Sequence, residues 1–257
     1  MRKGIRRLLP LMLCTIMVLS SGLVAFAASS PTEPLIDHND TEKKISDYSK
    51  AGSFGGLREA TDEDMQRWNN VEKQLPKDTS SDPKIGAKAS WTTLTPFTYY
   101  GQLTNYSCGA ASVRMALKYL TGTTYAESTI RTGTNTTSSS GTTIANMISY
   151  INDEQDENVY VGRYNQSKAT MKNNLYSGVA TFDAPSLIGI QESTSDGWPF
   201  DLAGHAVAIY AAMSDKSDFG ICDPWAGYVD DDDNRWYVKS DDDLYDAYDA
   251  INGGYMY

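Results

Sequence analysis

Three residues that lie far apart in the sequence have the chemical types of a nucleophile, a base and an acid that orients the base. Cys108 follows a polar loop and begins an amphipathic run, His205 begins the run HAVAIYA, and Asp223 precedes Pro224 in SDFGICDPWAGY. A thiolate attacks carbonyl carbons, an imidazole exchanges protons with it, and a carboxylate holds the imidazole in one orientation. These residue types predict acyl-transfer chemistry, provided that the fold brings them together.

The surroundings of Cys108 favour a reactive thiol. Residues 109–111 are Gly-Ala-Ala, and helical apolar spacing continues from there to Leu120. The unpaired N–H groups and the dipole at a helix N-terminus stabilise an anion such as a thiolate. Gln102, six residues upstream, has an amide that can join the Cys108 backbone N–H in stabilising an oxyanion.

Each of these residues also has a purely structural interpretation. Taken alone, His205 is a strand residue, Gln102 is a loop residue and Asp-Pro is a common start of a turn. A disulfide between Cys108 and Cys222 is the alternative for an exported protein. Because side chains alternate along a strand, an Asp223 that faces the site leaves Cys222 facing the core, which favours two free thiols.

The elements that must position these residues are predicted to be helices first and an antiparallel sheet afterwards. This order predicts an α+β fold, in which Cys108 begins a helix that packs on a sheet carrying His205 and Asp223. Apolar spacing predicts helices over 108–120, 142–153, 167–178 (ended by Gly178) and 240–251, and strands in NVYVGRY, VATFDA, HAVAIYA, SDFGICD and RWYVK.

The N-terminal third has a different composition. A basic start, an apolar run from Leu8 to Phe26 and small residues up to Ala27 predict a secretory signal peptide over 1–27, with an uncleaved membrane anchor as the alternative. Residues 28–89 are polar and are predicted to be an N-terminal arm or a propeptide, followed by one compact domain over 90–257. We therefore expect a secreted, extracellular protein without membrane contact after cleavage.

Charge and composition exclude several classes of partner. The chain of 257 residues has 22 Lys and Arg against 33 Asp and Glu, a net charge of −11, which disfavours nucleic acid and anionic lipid. No Cys and His spacing fits zinc, so we predict no cofactor and no metal at the site. The aspartates at 230–233 are predicted to form a solvated turn, with calcium as the alternative. We expect a monomer.

The three motifs together resemble those of the papain-like cysteine peptidases. QLTNYSCGAAS, GHAVAIY and CDPWAGY are similar to the bacteriocin (double-glycine) leader peptidases, which show Gln, five residues, Cys-Gly, a His-led strand and then Asp-Pro. The resemblance covers 90–257, and Ser107 stands where those enzymes usually carry Asp. It implies a papain-like fold with Cys108 as nucleophile, His205 as acid and base, Asp223 as orienting group and Gln102 as oxyanion donor.

These observations predict a secreted bacterial cysteine peptidase that hydrolyses peptide bonds in a peptide or protein substrate. Two alternatives stay open. One is a papain-fold acyltransferase of the transglutaminase type, and the other is a binding or adhesion module with weak activity. Loops at 132–141 and 184–203 are expected to shape the substrate pockets.

Overall fold

An antiparallel sheet of seven strands lies at the centre of the fold. The computed structural model describes residues 89–251 and 254–257. Within these residues the strand order is β2-β7-β3-β4-β5-β6, and β1 pairs with β4 as a branch. The strands are β1 (Trp91–Thr93), β2 (Gly162–Arg163), β3 (Ser186–Glu192), β4 (Leu202–Met213), β5 (Asp218–Cys222), β6 (Trp236–Ser240) and β7 (Tyr255–Met256).

Helices cover both faces of this sheet and create two buried clusters. The first cluster joins α1 and α3 to one face, and the second joins α4 and α6 to the other. The predicted α+β arrangement, with Cys108 at a helix start and with His205 and Asp223 contributed by the sheet, is confirmed. The helices are α1 (Cys108–Thr121), α2 (Glu127–Gly133), α3 (Ile144–Glu154), α4 (Lys168–Ala180), α5 (Trp225–Tyr228) and α6 (Asp241–Asp249).

Helix α1 has a well-defined start and end. Its residues from Cys108 to Leu117 are all buried, which explains the small side chains of its first turn. Gly122 ends the helix with a φ of 69° and donates its N–H to the Lys118 carbonyl, as glycine does at helix ends because it has no Cβ to clash. The helix predicted over 108–120 is therefore confirmed.

The central strands are buried on both faces, and their side chains alternate between the two clusters. This alternation follows from the period of two in a β-strand. The α1 face includes Leu187, Ala206, Ala208 and Cys222, and the opposite face includes Ile188, Ile190, Val207, Ile209, Phe219 and Ile221.

One predicted strand is wrong and another is shorter than predicted, and the error has a clear physical cause. VATFDA is not a strand, because α4 continues through Gly178 to Ala180. A Cβ at Gly178 would lie 2.2 Å from the Ser186 Oγ atom, so this glycine permits close packing of α4 on β3 and does not end the helix. The next strand begins at Ser186, inside the segment 184–203 that was predicted to be a loop.

The strand predicted in NVYVGRY is much shorter than expected. Only Gly162 and Arg163 form strand β2, which pairs with β7 near the C-terminus. The preceding Tyr160 instead forms two backbone hydrogen bonds with the side chain of Asn152 in α3. This pairing with a side chain replaces the strand hydrogen bonds that the alternating pattern predicts.

The predicted signal peptide over 1–27 and nearly all of the predicted arm over 28–89 lie outside the described residues. No helix in 89–251 combines the length and apolar character that crossing a membrane requires.

Candidate active site

Cys108 is the first residue of α1, and its position relative to the sheet is fixed by a hydrogen bond one turn later. The Ser112 hydroxyl donates to the Ala206 carbonyl at 3.0 Å, and Ala206 directly follows His205 in β4. The first N–H groups of a helix have no carbonyl partner within it. Cys108 therefore lies at a helix end whose first N–H groups have no partner within the helix, one turn before the residue that contacts β4.

Close packing around the start of α1 requires a glycine after the cysteine. A Cβ at Gly109 would lie 2.4 Å from Thr142 Cγ2 and 3.0 Å from the Met147 sulfur. The start of α3 can therefore approach Cys108 only because residue 109 has no side chain. This contact is a physical reason for the Cys-Gly pair.

His205 follows a β-bulge that changes the register of β4 against β3. Ile190 pairs with His205 but Gln191 pairs with Ala203, which leaves Gly204 as the extra residue. Gly204 has a φ of 106°, a backbone conformation that favours glycine. The bulge therefore sets the direction of the His205 side chain relative to strand β3.

The His205 ring is bonded to Asp223. The Nε2 atom lies 2.7 Å from Asp223 Oδ1, and both side chains have no solvent-exposed surface. A carboxylate only accepts hydrogen bonds, so Nε2 carries the hydrogen and Nδ1 is the atom left for proton exchange. Among the described residues, Nδ1 has no hydrogen-bond partner of regular geometry.

The pKa of His205 is raised well above its usual value. Burial alone lowers it, but the charge of Asp223, the hydrogen bond to Asp223 and the nearby Cys108 side chain outweigh burial. In the part of the chain that the structure describes, no hydrogen bond of regular geometry joins the Cys108 thiol to Nδ1, and catalytic contacts of this kind often tighten only when substrate binds. The protonated form of His205 is therefore favoured at neutral pH.

Asp223 follows β5 and is held by three donors. Besides His205, the Trp225 backbone N–H donates to Oδ1 at 2.8 Å and the Tyr237 hydroxyl donates to Oδ2 at 2.8 Å. Burial raises the pKa of Asp223, but the charge of His205 and these hydrogen bonds reverse the effect and lower it. The carboxylate therefore stays ionised although it is fully buried.

Gln102 is buried and is attached to the segment that follows Asp223. Its backbone N–H donates to the Pro224 carbonyl at 3.0 Å, and its Nε2 atom donates to the Thr104 carbonyl at 2.6 Å. A side-chain amide has two N–H hydrogens, so one is left after this bond. The loop before α1 and the end of β5 are thus joined at the site.

Three further residues at the site were not identified from the sequence. The Trp225 ring packs edge-on against His205, with ring centroids 6.2 Å apart, and excludes water from the bond between His205 and Asp223. Tyr237 bonds to Asp223 and also to Glu192 Oε1 at 3.0 Å. The sequence predicted that Tyr237 lies in a strand, RWYVK, but this pattern does not specify which of its side chains faces inward.

The described residues contain one group that has the composition of a metal site. One ligand atom from each of Glu192, His205 and Asp223 lies within 4.8 Å of the others. The His205 and Asp223 atoms are already hydrogen-bonded to each other. The arrangement is therefore explained as a hydrogen-bonded network.

The aspartates at 230–233 lie in a turn and a short 3-10 helix. Asp231 accepts a hydrogen bond from the Asn234 amide at 2.7 Å, and Asp232 forms an ion pair with Arg235. Asp230, Asp232 and Asp233 are exposed. This agrees with the predicted solvated turn.

The two cysteines of the described residues are both free. Cys222 is buried and its thiol donates to the Met115 sulfur at 3.3 Å. Burial, followed by the charge of Asp223, raises the pKa of Cys222 well above its usual value, which makes this thiol unreactive. The alternative of a disulfide between Cys108 and Cys222 is therefore wrong.

Comparisons with known proteins give structural neighbours only. No protein-family model matches the chain, and no curated protein matches it. One solved structure similar to it is the peptidase domain of Streptococcus ComA, a bi-functional ABC transporter involved in a quorum-sensing pathway. The TM-score is 0.43 with 14% identity, over 63% of this chain and 96% of that chain.

A second similar structure is a double-glycine motif protease from an AMS/PCAT transporter in complex with its leader peptide. The TM-score is 0.41 with 15% identity, over 62% of this chain and 89% of that chain. The two neighbours are named as a peptidase domain and a protease of transporter proteins. The chemistry of this chain is argued below from its own residues.

Proposed function

We propose that this chain is a cysteine peptidase in which Cys108, His205 and Asp223 form the catalytic triad. The observation that carries the proposal is the fully buried 2.7 Å bond between His205 Nε2 and Asp223 Oδ1, with Cys108 acting on the same ring. A buried, charged imidazole that is held by a carboxylate beside a helix-terminal thiol is suited to nucleophilic catalysis.

The first half of the reaction forms an acyl-enzyme. In the reactive pair the thiol proton of Cys108 already resides on His205 Nδ1, which makes the ring charged, and the thiolate sulfur attacks the carbonyl carbon of the peptide bond. As the C–N bond breaks, the same nitrogen returns the proton to the leaving amine. Asp223 keeps the ring in the orientation that this exchange requires.

The oxyanion formed during the attack needs donors that are in place before the reaction. The Cys108 backbone N–H and the second N–H of the Gln102 amide are proposed for this role. In the second half, His205 takes a proton from water, hydroxide attacks the thioester carbon, and the proton returns to sulfur as the acid leaves. The sum is hydrolysis of one peptide bond.

The chain is proposed to act outside the cell on a peptide or protein substrate, after removal of residues 1–27. Cys108 and His205 have no exposed surface, so a peptide bond reaches the sulfur only when the groups that cover it move. Because residues 28–89 are predicted to be an N-terminal arm or a propeptide, activity assays should include the purified chain with and without residues 28–88.

A peptide-library digest with wild type and Cys108→Ala tests the proposal. We expect cleavage by wild type, no cleavage by the Cys108→Ala variant and unchanged unfolding of that variant by urea. Labelling with a thiol-directed epoxide is expected at Cys108 once the groups that cover it move, whereas Cys222, whose pKa is raised by burial and by the charge of Asp223, provides an internal control that stays unlabelled.

Cleavage that persists in Cys108→Ala would overturn the mechanism. The digest should also be run with an added amine and followed by mass spectrometry. An amide of that amine as the main product would make the chain an acyltransferase, with the same triad and with amine in place of water.

A further inference from the structure

A second buried carboxyl lies next to the proposed triad, and one tyrosine hydroxyl connects the two acids. The Tyr237 oxygen is 2.8 Å from Asp223 Oδ2 and 3.0 Å from Glu192 Oε1. Glu192 is only 2% exposed and ends strand β3, and Tyr237 belongs to β6. Neither residue is part of the chemistry proposed above.

Strand alternation explains why these side chains meet. Glu192 is two residues from Ile190, Asp223 is two residues from Ile221, and Tyr237 pairs directly with Ile221. Ile190 and Ile221 belong to the second cluster, and the partly buried Tyr237 packs against it. Residues two apart on a strand share a face, so both acids and the phenol lie on one face at the end of three strands.

A count of hydrogens shows that two ionised acids would leave one of the two Tyr237 contacts without a hydrogen. A phenol has one hydroxyl hydrogen, and an ionised carboxylate has none to donate. Tyr237 can therefore donate to only one of the two acids. The contact with the other is a hydrogen bond only if that acid holds a proton. Two carboxylates in one buried site would also repel each other strongly.

The surroundings of the two acids decide which one is protonated. Asp223 has donors in His205 and the Trp225 backbone, whereas Glu192 Oε2 has no hydrogen-bond partner among the described residues. Burial, followed by the charge of Asp223, raises the pKa of Glu192 well above its usual value. The charge of His205 and the Tyr237 hydrogen bond oppose this shift without reversing it.

We propose that Glu192 is a positioning residue that stays protonated at neutral pH and donates through Oε1 to Tyr237, whose hydroxyl in turn donates to Asp223. The proposal rests on the proposed peptidase function for its catalytic meaning. The chain of hydrogen bonds runs from Glu192 through Tyr237 and Asp223 to His205. Each bond polarises the next, and together they fix the orientation of the Asp223 carboxylate.

The protonation state is tested without any activity measurement. Infrared or carboxyl-¹³C NMR spectra at neutral pH are expected to show a protonated carboxylic acid that disappears in Glu192→Gln. The same substitution at the exposed Glu157 is the matched control and leaves the signal in place. A spectrum in which Glu192→Gln removes no such signal would overturn the proposal, even if peptidase activity is present.

The positioning role is tested by kinetics. Loss of the donor in Glu192→Met is expected to lower kcat about tenfold with little change in KM, as the loss of one hydrogen bond predicts. Glu192→Gln keeps a neutral N–H donor and should restore most of that loss. In a Tyr237→Phe background, Glu192→Met should have almost no further effect, because the connection is already broken.

Two results would contradict the positioning role. One is additive losses in the double variant, and the other is a Glu192→Gln variant as slow as Glu192→Met. Stoichiometric binding of Zn²⁺ that is lost in Glu192→Gln would also overturn the proposal, because it would assign Glu192 to a metal site.

Discussion

The charge of His205 results from two opposing effects. Burial lowers its pKa, while the charge of Asp223 and the hydrogen bond to it raise the pKa, and the second effect is larger in sum. A cysteine peptidase needs the protonated ring to supply the amine with a proton. We therefore expect peptidase activity to fall at alkaline pH with the pKa of this histidine, which Asp223 controls.

Replacing Asp223 with asparagine is expected to lower the pKa of His205. The variant Asp223→Asn keeps an oxygen that can accept from Nε2, but it removes the negative charge, so burial dominates. The alkaline limb of kcat/KM should move to lower pH, and the histidine ring signals in ¹⁵N NMR should titrate at lower pH. The same change at the exposed Asp233 should leave both unchanged, and an unmoved limb in Asp223→Asn would contradict this assignment.

The sequence predicted those site residues whose chemical type is rare in this chain or whose neighbours are glycine or proline. Cys108 stood out through its Gly-Ala-Ala sequel, His205 through Gly204, and Asp223 through Pro224. Glu192 carries no such mark, because one glutamate near the end of an apolar run has the pattern of a solvated strand end. Only the register of β3, β5 and β6 shows that it lies beside Asp223.

Among the elements, prediction depended on what each glycine does. Gly122 ends α1 as expected, with a positive φ. Gly178 lies inside α4 and allows close contact with Ser186. The helix therefore continues into VATFDA, and the strand that was predicted there begins only at Ser186 in β3. The sequence contains the same residue type in both places, and only the neighbouring strand distinguishes a helix end from a close contact.

The loop before α1 and the short helix α5 contact each other through backbone. A Cβ on Gly101 would lie 2.8 Å from the Gly227 Cα atom, and a Cβ on Gly227 would lie 2.7 Å from the Gly101 Cα atom. Real Cβ contacts are longer, and backbone cannot rotate away as a side chain can. This contact holds Gln102 at a fixed distance from the end of β5.

The substitution Gly101→Ala is expected to separate these two elements. The loop must shift, so the Gln102 amide leaves the position proposed for oxyanion stabilisation and kcat should fall at least tenfold. Overpacking of this kind also lowers the free energy of unfolding by about 1–3 kcal/mol. Steady-state kinetics and urea unfolding measure the two effects. Gly227→Ala probes the same contact from the other side, and a fully active, equally stable pair of variants would contradict it.

For the whole molecule, the buried network makes stability depend on pH. The folded pKa of Glu192 lies above 4.5 and that of His205 above 6.5. The folded state therefore holds protons that the unfolded chain has already released, and stability falls as pH rises through these windows. Asp223, with a folded pKa below 3.8, acts in the opposite direction and only at low pH.

The contribution of Glu192 can be isolated between about pH 5 and pH 6.5, below the window of His205. One group contributes a slope of at most about 1.4 kcal/mol per pH unit. In this range the free energy of unfolding of wild type should decrease with pH relative to Glu192→Gln, because the amide has no proton to lose. Above this range His205 adds the same loss of stability to both proteins, and wild type continues to decrease relative to Glu192→Gln for as long as folded Glu192 keeps its proton. Urea unfolding at a series of pH values measures this, with Glu157→Gln expected to follow wild type. Parallel curves for wild type and Glu192→Gln below pH 6.5 would mean that Glu192 is ionised in the folded protein.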